Sequence, residues 1–279
     1  MDVQAQGFKT IETGSFKFEV YNASENSFGV ASVIVSGKTD AVLIDAQFTL
    51  EDAEKVAGEI KKSGKKLTTI YVSNGDPDFY FGLEVFKKYF PEVTVYAAAA
   101  TVEHIKATAQ KKLEVWGERL GKGITSNVVL PQVLKGNSIE LEGEKLEIIG
   151  LEEFPSKTFV WIPSAKAVVG GINVFGTTFH LWMADAQTAD ARKQWINVLD
   201  KIEALQPVIV VPAHAKSESA FDLSAVQHTK SYIQVYEEAL KTNKTSETLI
   251  AALKAKYPAL TFDIALQIGA KVNTGEMKW

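Results

Sequence analysis

Apolar and polar residues alternate over residues 16–21, and a β-rich run over 30–35 follows before the turn Ser36-Gly37-Lys38-Thr39-Asp40. That pattern predicts an antiparallel opening. Residues 41–44 form a third apolar strand that runs into Asp45. From Leu50 the apolar spacing changes to Leu50, Ala53, Val56, Ala57, Ile60, an amphipathic helix ending near Ser63-Gly64. A strand over 67–72 leads into the polar turn Ser73-Asn74-Gly75-Asp76-Pro77-Asp78, then a helix through Phe90 that Pro91 stops.

The theme repeats with a strand over 93–97 and a long helix over 101–120. Further strands are predicted near Val128 and over 139–141, 146–149, 158–162 and 167–169. Residues 192–205 read as a helix, 208–211 as an apolar strand ending at Pro212-Ala213-His214, and the remainder as helical hairpin material. There is no internal repeat, low-complexity tract or linker. These patterns predict one domain over residues 1–279, with a helical extension from about 217 to 279. Two strand-rich halves, each followed by helices, imply an α/β (α+β) fold, an αββα sandwich of two mixed sheets with helices outside.

Composition narrows the chemistry. With 30 basic and 34 acidic residues the net charge is −4, and no basic stripe is gathered for nucleic acid. No apolar stretch is long enough to span a bilayer. The expected partner is therefore a small-molecule substrate, with no nucleic acid and no membrane, on a monomer or homodimer. The absence of cysteine excludes disulfides, thiol catalysis and thiolate metal sites, leaving any metal to the four histidines, carboxylates and amides. The opening Met1-Asp2-Val3-Gln4-Ala5-Gln6 has no apolar core of a signal peptide. The expectation is a periplasmic or secreted protein with an initiator Met in place of its leader, ahead of a cytoplasmic one. Serine-nucleophile elbows, phosphate loops and dinucleotide fingerprints are missing.

The segment after the 67–72 strand carries the strongest candidate chemistry. Residues two apart in an extended loop point the same way, so Asn74, Asp76 and Asp78 can converge on one cation. Equally, Asp76-Pro77 can make a turn and Asp78 cap the next helix. His104 and His228 read as surface residues.

Asp78-Phe79-Tyr80-Phe81-Gly82 resembles the DHxxG part of the HxHxDHxxG signature of the metallo-β-lactamase superfamily. Three further landmarks occur in the family's order: Val42-Leu43-Ile44-Asp45 before it, and Val168-Val169-Gly170-Gly171 and Val210-Val211-Pro212-Ala213-His214 after it. The resemblance implies the metallo-β-lactamase fold and a metal-dependent hydrolase. The departures are as informative: Asn74 and Asp76 stand for the first two motif histidines, Phe79 for the third, no histidine lies near Gly150-Leu151-Glu152-Glu153, and Ile172-Asn173 replace the bridging aspartate.

What the resemblance leaves is an atypical site. Asp76, Asp78 and His214 are the expected catalytic and metal residues, with Asn74 or Glu152 as a further donor, holding one divalent ion (Zn, Mn, Fe or Mg) or none. His180, Phe179, Tyr80 and Trp182 are expected to line a substrate pocket, together with Phe81 and Phe175. The implied function is hydrolysis of a cyclic or activated, lactone-like ester by metal-activated water. The alternatives are a catalytically inactive ligand-binding or interaction protein, and a mononuclear oxygenase using one histidine and two carboxylates.

Overall fold

The computed structural model describes residues 7–279; the opening hexapeptide, on which the expectation about compartment rests, lies outside the described residues. In chain order the elements begin with β1 (Phe8–Glu12), β2 (Lys17–Asn22), β3 (Ala31–Ser36), β4 (Asp40–Ile44), α1 (Leu50–Ser63) and β5 (Lys66–Val72). They continue with α2 (Pro77–Tyr80), α3 (Leu83–Tyr89), β6 (Thr94–Ala97), α4 (Ala99–Leu120), β7 (Gln132–Val133), β8 (Ser138–Leu141) and β9 (Glu144–Ile149). The last are β10 (Phe159–Ile162), β11 (Ala167–Val169), α5 (Ala189–Ala204), β12 (Ile209–Val210), α6 (Leu223–Thr242), α7 (Ser246–Lys256) and α8 (Asp263–Asn273).

Two mixed sheets result, ordered β1-β2-β3-β4-β5-β6-β7 and β12-β11-β10-β9-β8. Their side-chain period of two explains the layering. Val33, Val35, Val42 and Ile44 join Val160, Ile162, Val169 and Val211 in the core between the sheets. The intervening Ile34, Ala41, Leu43, Phe159 and Val168 turn the other way, into the larger core shared with the helices. Helix α1 shows how that outer layer is fixed. The Thr49 hydroxyl accepts the Asp52 N–H at 3.2 Å and Gly64 closes the far end at φ 69°. Burying the aliphatic side chains of Val56 and Ile60 along that face contributes about 1.5–3 kcal/mol each.

Two strand expectations change. The segment around Val128 has no regular structure, and its place at the sheet edge is taken by β7 four residues later, because only Gln132 and Val133 reach register with Tyr96 and Ala97. Strand β1, not foreseen, pairs with β2 from Phe8↔Tyr21 to Glu12↔Lys17; its two apolar residues, Phe8 and Ile11, stand three apart among Lys9, Thr10 and Glu12, which hides the alternation.

β4, β5 and β6 run parallel, as do β11 and β12, so the loops after β4, β5, β11 and β12 gather at strand C-termini, where open α/β folds place ligands. A clamp holds these loops together. Asp45, at φ 63°, accepts the Ser73 N–H and Oγ–H, both at 2.7 Å, and Ser73 Oγ accepts the Gly171 N–H at 2.7 Å. Burial pushes the Asp45 carboxyl up to about 7, against the two Ser73 hydrogen bonds. At Gly171, φ is +78° and a Cβ would lie 2.3 Å from the Thr158 carbonyl oxygen. Only glycine lets the chain turn there.

Candidate active site

His214 is positioned by backbone on both sides. The Ala31 N–H donates to Ala213 O (2.8 Å) and the Gly176 N–H to His214 O (2.8 Å), threading this segment between two others. Its ring stacks on Phe175 (4.9 Å between centroids) and meets the edge of Phe79 (5.8 Å). Nδ1 lies 3.0 Å from the Phe28 carbonyl oxygen. A carbonyl can only accept, so Nδ1 carries the proton and Nε2 presents its lone pair. That lone pair faces Asp78, whose Oδ2 is 3.7 Å away.

Asp78 sits in the first turn of α2 and is 5% exposed. Asp76, not Asp78, occupies the helix N-cap, and it makes no side-chain capping bond. Burial, reinforced by the nearby Asp76 charge, pushes the Asp78 carboxyl well above the usual carboxylate range. Burial likewise pushes His214 down to about 4, outweighing its bond to Phe28 and the pull of Asp76. Both groups are driven toward their neutral forms, a protonated acid beside an unprotonated imidazole.

The pair opens into a cleft of about 400 Å³ that also receives Asp76, Trp182, Phe28, Phe262 and Ile172. Helix α4 supplies one wall from a single face, Thr108, Lys111, Lys112, Val115, Trp116 and Arg119. Lys112 Nζ donates to Asp76 Oδ1 (2.9 Å) and to the Gly75 carbonyl (2.9 Å), and lies 3.0 Å from His104 Nε2. The acidic side chain of the turn is therefore matched by an ammonium from the helix opposite.

Of the residues foreseen, Asp76, Asp78, His214 and Trp182 come together around this cleft. The others do not. Asn74 Oδ1 accepts the Asp76 N–H at 2.8 Å, forming an Asx turn. Tyr80, Phe81, Phe175 and Phe179 are core residues, Phe179 packing on Phe262 at 5.0 Å. The expectation that His180 lines the pocket is corrected: the ring is fully buried against α6, its Nδ1 3.0 Å from the Tyr232 hydroxyl. Glu152 is exposed on its turn. His104 does reach the cleft's edge through Lys112, and His228 is half-buried with Nε2 on the Phe179 carbonyl.

The α4 wall was missed in the sequence although its signal is present. Positions 108, 111, 112, 115, 116 and 119 carry the 3–4 spacing of one helix face, but its lysines read as a solvated surface. The residues from α8 onward that close the opposite side, Ile268, Met277 and Trp279, show no such period.

Two mixed sheets clad by helices make an αββα sandwich, with the acid–imidazole pair and its cleft at the strand C-termini along one edge. The chain belongs to the metallo-beta-lactamase superfamily, whose model matches residues 26–214. Among solved structures it is similar to a metallo-beta-lactamase from Pontibacter korlensis, with 21% identity over 81% of this chain and 99% of that one and a TM-score of 0.54. It is also similar to the metallo-beta-lactamase IND-7, at 18% identity over 83% and 100% of the two chains with a TM-score of 0.59. A third, DIM-1 metallo-beta-lactamase, gives 19% identity over 82% and 97% with a TM-score of 0.55. In a comparison with curated proteins no sequence matches.

Members of the superfamily commonly bind divalent metals such as zinc, and the residues present here do not fit that role. Zinc wants about four ligands, mostly imidazole or thiolate. Among the described residues no group of three or more His, Asp or Glu is arranged to hold an ion. Asp76 is engaged by the Lys112 ammonium, Ile172 presents a hydrocarbon to the cleft, and Phe79 packs its ring against His214.

Proposed function

We propose that the protein is a hydrolase of small apolar esters, lactone-like cyclic esters first, in which Asp78 and His214 work as an acid–base pair. The observation that carries this reading is the pair itself: a buried carboxyl and an imidazole of fixed tautomer, 3.7 Å apart at an apolar cleft. Groups whose surroundings favour a neutral acid and a neutral base can divide the two proton transfers of hydrolysis.

His214 Nε2 takes a proton from water as its oxygen attacks the ester carbonyl carbon. The protonated Asp78 carboxyl donates a hydrogen bond to the carbonyl oxygen as it becomes negative, a stabilisation that strengthens in a water-poor site. As the tetrahedral intermediate collapses, the C–O bond to the leaving alkoxide breaks. The imidazolium returns its proton to that oxygen, giving alcohol and acid, or a hydroxy acid from a lactone. Lys112 keeps the Asp76 charge compensated beside the pair. The aromatic walls take up the apolar part of the substrate and exclude water.

The test is turnover of a panel of γ- and δ-lactones and aryl esters by wild type, Asp78→Asn and His214→Phe, with and without chelator. Loss of one positioned acid or base is expected to lower kcat by about 100-fold or more, with no effect of chelator on wild type. Equal rates in all three proteins overturn the assignment of the pair. No turnover across the panel by a chain that still binds apolar ligands overturns hydrolysis and selects a binding protein. Chelator-sensitive turnover overturns the metal-free mechanism.

A further inference from the structure

The cleft's rim is unusual in both its polarity and its charge. Val115, Met277 and Trp279 are large apolar side chains that remain 43%, 40% and 54% exposed, and all three border this one cleft. Soluble proteins rarely leave contiguous apolar surface in water without a use for it. Between them, on the α4 wall, stand Lys111 and Arg119, both exposed. Among the described residues neither has an ion pair or hydrogen bond; Arg119 only lies over the Trp116 ring, 5.2 Å from its centroid.

The acidic groups of the cleft are each answered. Asp76 is paired with Lys112 at 2.9 Å, and Asp185 accepts the Trp279 indole N–H at 2.5 Å. Asp78 faces His214 from within the buried floor. Burial pushes the Asp185 carboxyl up to about 6 and the Asp78 carboxyl well above its usual range. Lys111 and Arg119, with no acidic partner, leave the α4 side of the mouth positive, and this charge sits on an apolar, aromatic surface. A carboxylate held by a guanidinium or ammonium, with a hydrocarbon body against tryptophan, meets both features.

We infer that the ligand of this cleft is an anionic amphiphile, an apolar chain or ring whose carboxylate is held at the rim by Arg119 and Lys111 while its body lies between Trp116, Trp182 and Trp279. This rests on reading the cleft as a small-molecule site and adds the substrate's class: an ester with a negatively charged group remote from the bond that is cut.

The test is equilibrium binding of decanoate, decanol and decyltrimethylammonium below their aggregation concentrations, followed by tryptophan fluorescence and calorimetry at low salt. Wild type is expected to bind decanoate at least about tenfold more tightly than either other probe. Lys111→Glu/Arg119→Glu is expected to remove that preference while leaving decanol unchanged, a loss of about 1.4 kcal/mol for the carboxylate alone. Added salt should weaken only the decanoate complex. Equal affinity for decanoate and decanol, tighter binding of the cationic probe, or no binding of any probe each overturns the inference. The outcomes separate: if the acid–base reading fails, the charge preference stands, and if the preference fails, hydrolysis of uncharged esters still reports on the pair.

Discussion

Arg192→Met removes the one guanidinium that ties the far wall of the cleft to the rest of the fold. Its side chain is 8% exposed and reaches three elements. Nη1 donates to the Ala186 carbonyl (2.8 Å) and to Asn273 Oδ1 at the end of α8 (3.0 Å), while Nε pairs with Glu237 on α6. Methionine keeps much of the aliphatic volume, so the loss is polar. The Ala186 carbonyl belongs to a fully buried residue and is left without a partner, which costs about 1–3 kcal/mol. The Asn273 contact adds about 0.5–1.5 kcal/mol. Glu237 is 35% exposed and turns to water, so its share is at most about 1 kcal/mol. The expected destabilisation is about 3 kcal/mol, at the lower edge of the range for breaking a buried ion pair. For a chain of this size that lowers Tm by about 6–12 °C. Thermal and urea unfolding followed by tryptophan fluorescence measure it. Arg192→Lys should recover little, since one ammonium cannot span three partners. A loss below about 1 kcal/mol for Met, or wild-type stability for Lys, refutes the reasoning.

Other outcomes follow from the same geometry. Gly82→Ala places a methyl 2.0 Å from the Ala46 carbonyl oxygen and 2.6 Å from Ala53 Cβ, so it should cost about 3 kcal/mol or more by overpacking. Gly58→Ala, in open space on α1, should stabilise by about 0.5–1 kcal/mol in the same unfolding assay. Burial pushes His180 down to about 4, so between about pH 6.5 and 4 the unfolded chain binds a proton that the fold refuses, and stability falls as pH falls through that window. His180→Gln should flatten that slope in urea titrations at stepped pH; an unchanged slope assigns it elsewhere. Lys112→Met combined with Asn74→His frees Asp76 and supplies an imidazole, so the variant should take up Co²⁺, read by its visible absorption, where wild type does not. Equal uptake by both shows that Lys112 does not keep cations from Asp76.

The architecture was legible because alternation and helical spacing are strong where an element is buried on one face. β3, β4 and α1 show this, and the four family landmarks lie at the C-termini of such elements. Of the candidate site, the sequence made legible the convergence of Asp76, Asp78 and His214 on one cleft, where placement follows from chain position. His180 shows the limit: an aromatic-rich loop looks the same in sequence whether it faces a cleft or, as here, packs under α6. Lys112 shows the converse. Its role depends on a contact with Asp76 across 36 residues, which no local pattern encodes.

The two sides of the cleft come from different stretches of the chain. The proposed acid–base pair lies within residues 26–214, the span shared with the superfamily, whereas Phe262, Ile268, Met277 and Trp279 lie beyond it. The apolar far side of the cleft is thus separable from the rest: exchanging the segment after residue 260 would change the surface that a ligand's body meets while leaving Asp78, His214 and the Lys111 and Arg119 rim in place.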